Sequence, residues 1–372
     1  MNILLIKNLV LSPLVTAFFI SLLTTPLVIF LYRRWGWVED PVKDKTPKTT
    51  HTQPVPRGGG IPIFLALLVG SLVFLPLDKH LQGILIGVVI MTLMGIFDDR
   101  FNLNPYLRLF LCFLAAGAVV GAGIGIAFIT NPFNGLIQLD QPQIQFQLLG
   151  KMRSLWLMAD LFALLWIVGL SNIVDWAKGF DGQLPGIVVI AGLTIALLAL
   201  KFSADITQWP VAILASITAG AYLGFLPFNF YPQKIMPGYG GGILAGFMLA
   251  VLAILSTTKV GTAIVVLGVP IIDALYSITR RLLTKRSPVW GDRGHLHHKL
   301  LDEWRWGKRR AALFFWTITA FLGALALGLN SQGKFYTIIM LGVLIGGLFL
   351  WFNFLSIFFI PPDRDKRSKI SL

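Results

Sequence analysis

The chain has 372 residues, of which 56% are apolar and only 13% are charged. Because a soluble protein usually carries about 25% charged residues, this composition excludes a soluble enzyme and leaves no room for a large soluble domain. The formal net charge of +14 would suggest a nucleic-acid partner in a soluble protein, but in a membrane protein it reflects topology, and no nucleic-acid partner is expected.

Long apolar runs predict eleven membrane-spanning helices, because one span needs about 20 mostly apolar residues. The first run is too long for a signal-peptide core and is interpreted as a retained span. We predict an all-α polytopic membrane protein that forms one integral membrane domain over 1–372, with a short basic tail at 361–372. The runs are 9–32, 60–77, 80–97, 107–129, 154–172, 184–200, 210–227, 240–257, 260–279, 311–330 and 336–360.

The positions of Lys and Arg predict the orientation, because positive charge favours the cytoplasmic side. With the N-terminus outside and the C-terminus in the cytoplasm, 24 of the 31 basic residues lie on the cytoplasmic face of a plasma membrane and seven lie outside. A small β-hairpin is predicted outside at 130–152, where Gln alternates with apolar residues. The cytoplasmic segments are 33–59, 98–106, 172–183, 228–239 and 280–310.

Two adjacent carboxylates, Asp98 and Asp99, end the third predicted span at the cytoplasmic face. A helix C-terminus disfavours anions, and two like charges at a membrane boundary raise each other's pKa unless a cation or a proton-transfer task holds them. The pair is therefore either functional or a solvated acidic turn with Arg100 as its partner, and both interpretations stay open.

A polar stripe occupies segment 172–186, where Asn172, Asp175, Lys178 and Asp181 recur at three-residue intervals. At a helix end this spacing brings the side chains near one face. Polar side chains at membrane depth are costly unless they line a cavity. The stripe therefore indicates a site rather than a plain connection between two spans.

Three predicted cytoplasmic helix starts follow glycine-rich backbone, at Arg57–Gly60, Gly179–Gly182 and Gly238–Gly242. The unpaired N–H groups of a helix N-terminus favour phosphate. Glycine also serves close helix packing in membranes, so the indication comes from three occurrences on one side.

Three of the five histidines, His295, His297 and His298, lie within four residues. Zinc is the obvious competing interpretation, but no second histidine cluster accompanies them. The single cysteine, Cys112, lies in an apolar run, which excludes disulfides and cysteine-based zinc sites. Beside Arg293 the histidines are better explained as donors to phosphate or sugar oxygens, with a charged loop of no special role as the alternative.

These features suit phosphoryl transfer between a soluble nucleotide compound and an acceptor held in the membrane. In chain order they resemble the motifs of the polyprenyl-phosphate N-acetylhexosamine-1-phosphate transferases of glycosyltransferase family 4, which include the phospho-MurNAc-pentapeptide translocases. The form of the histidine motif resembles the N-acetylglucosamine branch. The motifs that carry the resemblance over almost the whole chain are 54–61, 98–100 with Asn104, 172–186, 270–273 and 287–298.

The resemblance implies transfer of a sugar phosphate from a UDP-N-acetylhexosamine, taken as UDP-GlcNAc, to undecaprenyl phosphate or another polyprenyl phosphate. UMP is released, Mg²⁺ is the implied cofactor, and the product enters cell-wall or surface-polysaccharide synthesis. A homodimer is compatible with this. The implied catalytic residues are Asp98, Asp99 and Asp181. The implied substrate-binding residues are Arg57, Asn172, Lys178, Gly238, Tyr239, Arg293, His295, His297 and His298.

Two positions depart from the family pattern. The family usually has an acidic Mg²⁺ ligand at the place of Tyr239 and commonly an Asp at the place of Lys178, whereas Asp175 stands where Asn is usual. We expect either that Asp175 becomes a metal ligand or that Lys178 supplies positive charge to the diphosphate, with weakened dependence on Mg²⁺.

Two further classes of protein remain as alternatives. A non-catalytic relative would bind the polyprenyl phosphate or the nucleotide sugar without turnover. A transporter built on broken helices fits less well, because the polar residues cluster at one membrane face and not at the midplane.

Overall fold

Helices occupy most of the chain, and their bounds follow the apolar runs of the sequence. The computed structural model describes residues 3–43, 51–148, 151–256, 260–285, 287 and 294–359. Its helices are α1 (Ile3–Arg34), α2 (Gly60–Phe74), α3 (Lys79–Phe101), α4 (Pro105–Gly121), α5 (Leu157–Asp175), α6 (Gln183–Lys201), α7 (Trp209–Asn229), α8 (Gly238–Leu255), α9 (Val260–Val266), α10 (Gly268–Leu283), α11 (Leu296–Asp302), α12 (Lys308–Gly328) and α13 (Ser331–Phe359).

Within the described ranges, eight of these helices are long and apolar enough to cross a membrane: α1, α3, α5, α6, α7, α8, α12 and α13. A ninth span results if α9 and α10, which meet at 82°, are one broken helix. The two other predicted spans are shorter apolar helices, α2 with 15 residues and α4 with 17. A polytopic helical membrane protein is therefore confirmed, while the count of eleven and the orientation stay predictions.

Helix α8 forms the core of the bundle. Over an apolar stretch of 18 residues in each helix, 94% of the residues of α8 are buried, against 22% in α1 and 28% in α13. Glycine lets neighbouring backbones approach α8 closely, as in other membrane bundles. A Cβ on Gly60 of α2 would lie 2.9 Å from the backbone carbonyl carbon of Gly240, and one on Gly95 of α3 would overlap the Gly240 backbone. These contacts hold the starts of α2 and α8 against the end of α3.

The strands are short and form two-stranded antiparallel sheets. One hairpin is predicted at 130–152, and the structure corrects this to two neighbouring hairpins. The chain turns at Gly135, whose φ of +75° suits a tight turn. The pairs are β1 (Val38–Glu39) with β2 (Val55–Pro56), β3 (Phe128–Thr130) with β4 (Leu136–Gln138), and β5 (Gln143–Leu148) with β6 (Lys151–Trp156).

Candidate active site

Several segments singled out from the sequence meet at one end of the bundle. Gly238 begins α8 with φ of +67°, and a Cβ there would overlap the carbonyl oxygen of Arg57 and the carboxylate of Asp99. The next residue, Tyr239, donates its backbone N–H to Asp99 Oδ1 at 2.7 Å. The glycine-rich start of α8 is therefore in direct contact with the acidic end of α3.

Asp98 is buried at the end of α3 and has two partners. Its Oδ1 accepts the backbone N–H of Leu103 at 3.0 Å, and Arg108 Nη1 lies 3.4 Å from the same oxygen. A buried carboxylate without partners is costly, and a helix C-terminus adds to that cost. These contacts therefore compensate Asp98 and fix the turn that joins α3 to α4.

Asp99 pairs with Arg57 rather than with the neighbouring Arg100. Arg57 Nε lies 3.4 Å from Asp99 Oδ1 and 3.5 Å from Glu39 Oε2. Burial lowers the pKa of Arg57, but Asp99 and Glu39 outweigh this effect and hold that pKa above its ordinary value. Arg100 instead lies over the ring of Trp37, 5.7 Å from its centroid. The alternative of a solvated acidic turn with Arg100 as the partner of the two carboxylates is therefore wrong.

Lys178 joins the end of α5 to the start of α8. Its ammonium pairs with the carboxylate of Asp175 and donates to the carbonyl oxygen of Gly238 at 3.1 Å. The ring of Tyr239 is shared by two cations, with Lys178 Nζ 5.1 Å and Arg108 Cζ 4.9 Å from its centroid. The two positions that depart from the family pattern are thus in contact with each other.

Asn172 lies one turn before Asp175 and has different contacts. Its Nδ2 donates to the carbonyl oxygen of Val168 at 2.8 Å and lies 4.0 Å from the sulfur of Cys112. The three-residue spacing therefore brings Asp175 and Lys178 together, while Asn172 bonds the backbone of its own helix.

Asp181 is buried and binds a residue that the sequence analysis missed. Lys308 Nζ donates to Asp181 Oδ1 at 2.8 Å, and the backbone N–H of Gln233 donates to Oδ2 at 3.2 Å. Lys308 is the first residue of α12, where the helix dipole disfavours a cation. A lysine at that position was the available signal that an acidic partner lies nearby.

His295 is oriented by Asp273, to which the sequence analysis gave no role. Asp273 Oδ2 lies 2.9 Å from His295 Nδ1, and Oδ1 accepts the backbone N–H of Leu296 at 2.8 Å. Ser277 Oγ lies 3.2 Å from the same ring nitrogen. One carboxylate therefore fixes both the imidazole and the start of α11.

The other histidines lie beside segment 172–186. The ring of His297 stacks with that of His295 at 5.5 Å and packs against Gly179, where any Cβ would overlap it. His298 is buried beside His297, with 4.3 Å between ring centroids. The three histidines and the stripe thus form one cluster, whereas Arg293 lies outside the described residues.

An apolar cavity of about 400 Å³ lies between α5, α10 and α13. Its walls include Trp166 and Ile173 from α5, Ile271 from α10 and Leu341 from α13. Ile173 also lines a smaller space bordered by Asp273 and His297. The apolar cavity therefore lies next to the histidine end of the site.

The donor set does not fit the Mg²⁺ that the resemblance implies. Mg²⁺ is usually held by one or two carboxylates together with water and phosphate oxygens. Here five buried carboxylates are each paired with a cationic or imidazole side chain. In the described part of the chain, no three His, Cys, Asp or Glu residues are arranged so that they could hold a metal ion together. The pairs are Asp98–Arg108, Asp99–Arg57, Asp175–Lys178, Asp181–Lys308 and Asp273–His295.

The fold and the site define a polytopic membrane protein with a buried charged cluster at one end of its helical bundle. Residues 81–257, which include the acid pair and the polar stripe, match the family described as glycosyl transferase family 4. The family model and the curated relatives support the family that the motifs predict, and the chain is more similar to its N-acetylglucosamine branch.

Similarity to curated relatives extends well beyond the matched region. The chain is 29% identical over 342 residues to the probable undecaprenyl-phosphate N-acetylglucosaminyl 1-phosphate transferase of Bacillus subtilis, covering 89% of both chains. It is 29% identical over 369 residues to the decaprenyl-phosphate N-acetylglucosaminephosphotransferase of Mycolicibacterium smegmatis, covering 89% of this chain and 84% of the relative. It is 26% identical over 337 residues to the phospho-N-acetylmuramoyl-pentapeptide-transferase of Bacillus velezensis, covering 87% and 98%.

Proposed function

We propose that the protein transfers N-acetylglucosamine 1-phosphate from UDP-GlcNAc to a polyprenyl phosphate at the cytoplasmic face of the plasma membrane. An oxygen of the lipid phosphate forms a bond to the β-phosphorus of the nucleotide sugar. The bond from that phosphorus to the bridging oxygen breaks, and UMP leaves with that oxygen. Family membership and the names of the relatives support the reaction. The observation that carries it is the buried acid cluster beside the glycine-rich start of α8.

The two adjacent carboxylates have different roles in this proposal. Asp98 is a positioning residue, because it holds the turn at Leu103 and the guanidinium of Arg108. Asp99, at the end of α3, lies beside the start of α8. Its contacts with Arg57 and the backbone N–H of Tyr239 keep its carboxylate in place. We assign to Asp99 the acceptance of a proton from the lipid phosphate, which makes the attacking oxygen more nucleophilic.

The remaining predicted site residues are assigned to the nucleotide sugar. The three histidines lie beside the polar stripe, to which Asn172 belongs, and imidazole N–H groups can donate to sugar and phosphate oxygens. The apolar cavity beside Ile173 is assigned to part of the polyprenyl chain, since apolar lining suits a hydrocarbon. The lipid would then approach the site from within the bilayer.

The test measures release of UMP by the purified protein in nanodiscs supplied with UDP-GlcNAc and undecaprenyl phosphate. Asp99→Asn is expected to lower the rate by about 100-fold or more, the usual size of a general-base contribution. The matched control is Asp78→Asn at the opposite end of the same helix, where the side chain accepts the N–H of Leu81. Asn caps a helix as Asp does, so this variant should keep the wild-type rate. Absence of UMP above background with several UDP-sugars would instead support the non-catalytic relative.

A further inference from the structure

The cations of the site lie nearer to solvent than the acids with which they pair. The side chains of Arg57, Arg108 and Lys178 are 26%, 27% and 26% exposed, whereas those of their partners Asp99, Asp98 and Asp175 are 5%, 3% and 9% exposed. A ligand that enters from solvent therefore meets ammonium and guanidinium groups before it meets a carboxylate. This order suits an anion and is the reverse of what a divalent cation requires.

The three cations are also held close to one another. Lys178 and Arg108 share the ring of Tyr239, and Lys178 donates to the carbonyl oxygen of Gly238. The guanidinium of Arg57 lies 3.4 Å from the Asp99 oxygen that accepts the backbone N–H of Tyr239. The face of an aromatic ring attracts cations, so Tyr239 offsets part of the repulsion between them. An acidic side chain at this position would instead neutralise them.

Each buried acid of this group has a cationic partner within the chain itself. Arg57 also contacts a second carboxylate, Glu39, and the acids are held in place by side chains without a metal ion. A diphosphate adds negative charge that the partly exposed cations can accept without moving a carboxylate outward. Lysine and arginine are ordinary ligands of phosphate, the first as a point charge and the second as a fork of donors.

We propose that Lys178, Arg108 and Arg57 bind the diphosphate of the nucleotide sugar directly and that this site works without a bound divalent cation. The identity of the ligand rests on the proposed function. Tyr239 is a positioning residue in this account, because its ring holds Lys178 and Arg108 side by side. The pairing of Lys178 with Asp175 then replaces the metal–carboxylate contact that the family pattern implies.

The first test compares UDP-GlcNAc binding to the full-length protein in nanodiscs with millimolar Mg²⁺ and with EDTA, by calorimetry. The proposal expects dissociation constants that agree within about twofold, because no cation is released or taken up. Binding that requires Mg²⁺ overturns the proposal, and so does absence of binding in both buffers.

Variants of Lys178 then test whether its positive charge contributes to the binding of UDP-GlcNAc. Lys178→Met keeps the length of the side chain and is expected to weaken binding by about 10-fold to 100-fold, the usual contribution of a hydrogen bond to a charged group. Lys178→Arg should retain most of the affinity. The matched control is Lys201→Met at the C-terminal end of α6, where the ammonium donates to the carbonyl oxygen of Leu327. Equal affinity of Lys178→Met and Lys201→Met overturns the role of Lys178.

The ring of Tyr239 is tested separately. Tyr239→Phe keeps the aromatic face for both cations and should bind as the wild type does, whereas Tyr239→Leu removes it and should weaken binding. Similar affinity of the two variants overturns the positioning role.

Binding of a divalent cation is measured directly with Mn²⁺, a spectroscopic substitute for Mg²⁺. Electron paramagnetic resonance of the wild type with UDP-GlcNAc should show no saturable Mn²⁺ site, whereas the double variant Lys178→Asp, Tyr239→Asp should acquire one through the added carboxylates. A saturable wild-type site overturns the proposal. These binding measurements are independent of turnover. Release of UMP therefore tests the proposed function, and calorimetry tests whether the diphosphate binds without a metal ion.

Discussion

Helix α3 has acidic residues at both ends, and these residues differ in exposure, in their partners and in the effect of the helix dipole on them. At its start, Asp78 is more than half exposed, accepts the N–H of Leu81, and lies where the helix dipole favours an anion. At its end, Asp98 and Asp99 are buried where the dipole opposes them, and each is held by an arginine from another segment. The first arrangement stabilises the helix, whereas the second is costly and marks the site.

The same contrast holds for glycine residues with positive φ. Gly238 is surrounded by Arg57 and Asp99, whereas Gly135 in the β3–β4 turn has open space around it. Both positions need the backbone freedom of glycine, but only the first also needs the absence of a side chain. Close packing around the backbone therefore distinguishes the site end from the hairpin end.

The largest effect on stability is expected from Asp181→Ala. The change leaves Lys308, which is partly buried, without its carboxylate, and loss of one partner from a buried ion pair costs up to about 3–5 kcal/mol. Thermal unfolding in detergent measures the loss, and Asp205→Ala, which removes an exposed carboxylate, is the control. The double variant Asp181→Ala, Lys308→Met should recover part of the stability; a double variant no more stable than Asp181→Ala would show that the pair is not the cause.

A smaller effect is expected from Gly238→Ala. The positive φ and the overlap with Arg57 and Asp99 together strain the start of α8, at a cost of about 1–3 kcal/mol. UMP release should fall as well, because Asp99 must move. Gly135→Ala carries only the strain of its φ, so it should lose less stability and no activity. Equal losses in the two variants would contradict the packing role of Gly238.

The smallest effect is expected at Asp78 and depends on pH. The hydrogen bond from Leu81 lowers the pKa of Asp78, so its carboxylate contributes stability above its ordinary pKa, and this contribution disappears as pH falls through the lowered value. Asp78→Asn should remove that dependence while it preserves the cap. Unfolding midpoints of both proteins between neutral and acidic pH provide the measurement, and identical pH profiles would contradict the assignment.

The sequence predicts the positions of the helices well, because apolar runs and turn residues are local signals. It also singles out Asp98, Asp99 and segment 172–186, since charges at membrane depth are conspicuous. The break between α9 and α10 was missed inside an apolar run, although Gly268 and Pro270 are residues at which helices bend.

The partners of the site residues could not be predicted in the same way. Lys308 lies 127 residues from Asp181, and Tyr239 lies 140 residues from Asp99. No helical or strand periodicity relates residues so far apart. The packing of α12 against α6 brings the first pair together, and the packing of α8 against α3 brings the second pair together. The order of charges, with the cations partly exposed and the acids buried behind them, likewise exists only in the folded chain.

The most direct test of the account is the rate of UMP release from UDP-GlcNAc and undecaprenyl phosphate, measured in Mg²⁺ and again in EDTA. The account predicts turnover in both buffers, at rates that agree within about twofold, because the cations that stabilise the diphosphate belong to the chain. Turnover that stops in EDTA and returns only with Mg²⁺ would contradict the metal-free site, and absence of turnover in both buffers would contradict the transferase itself.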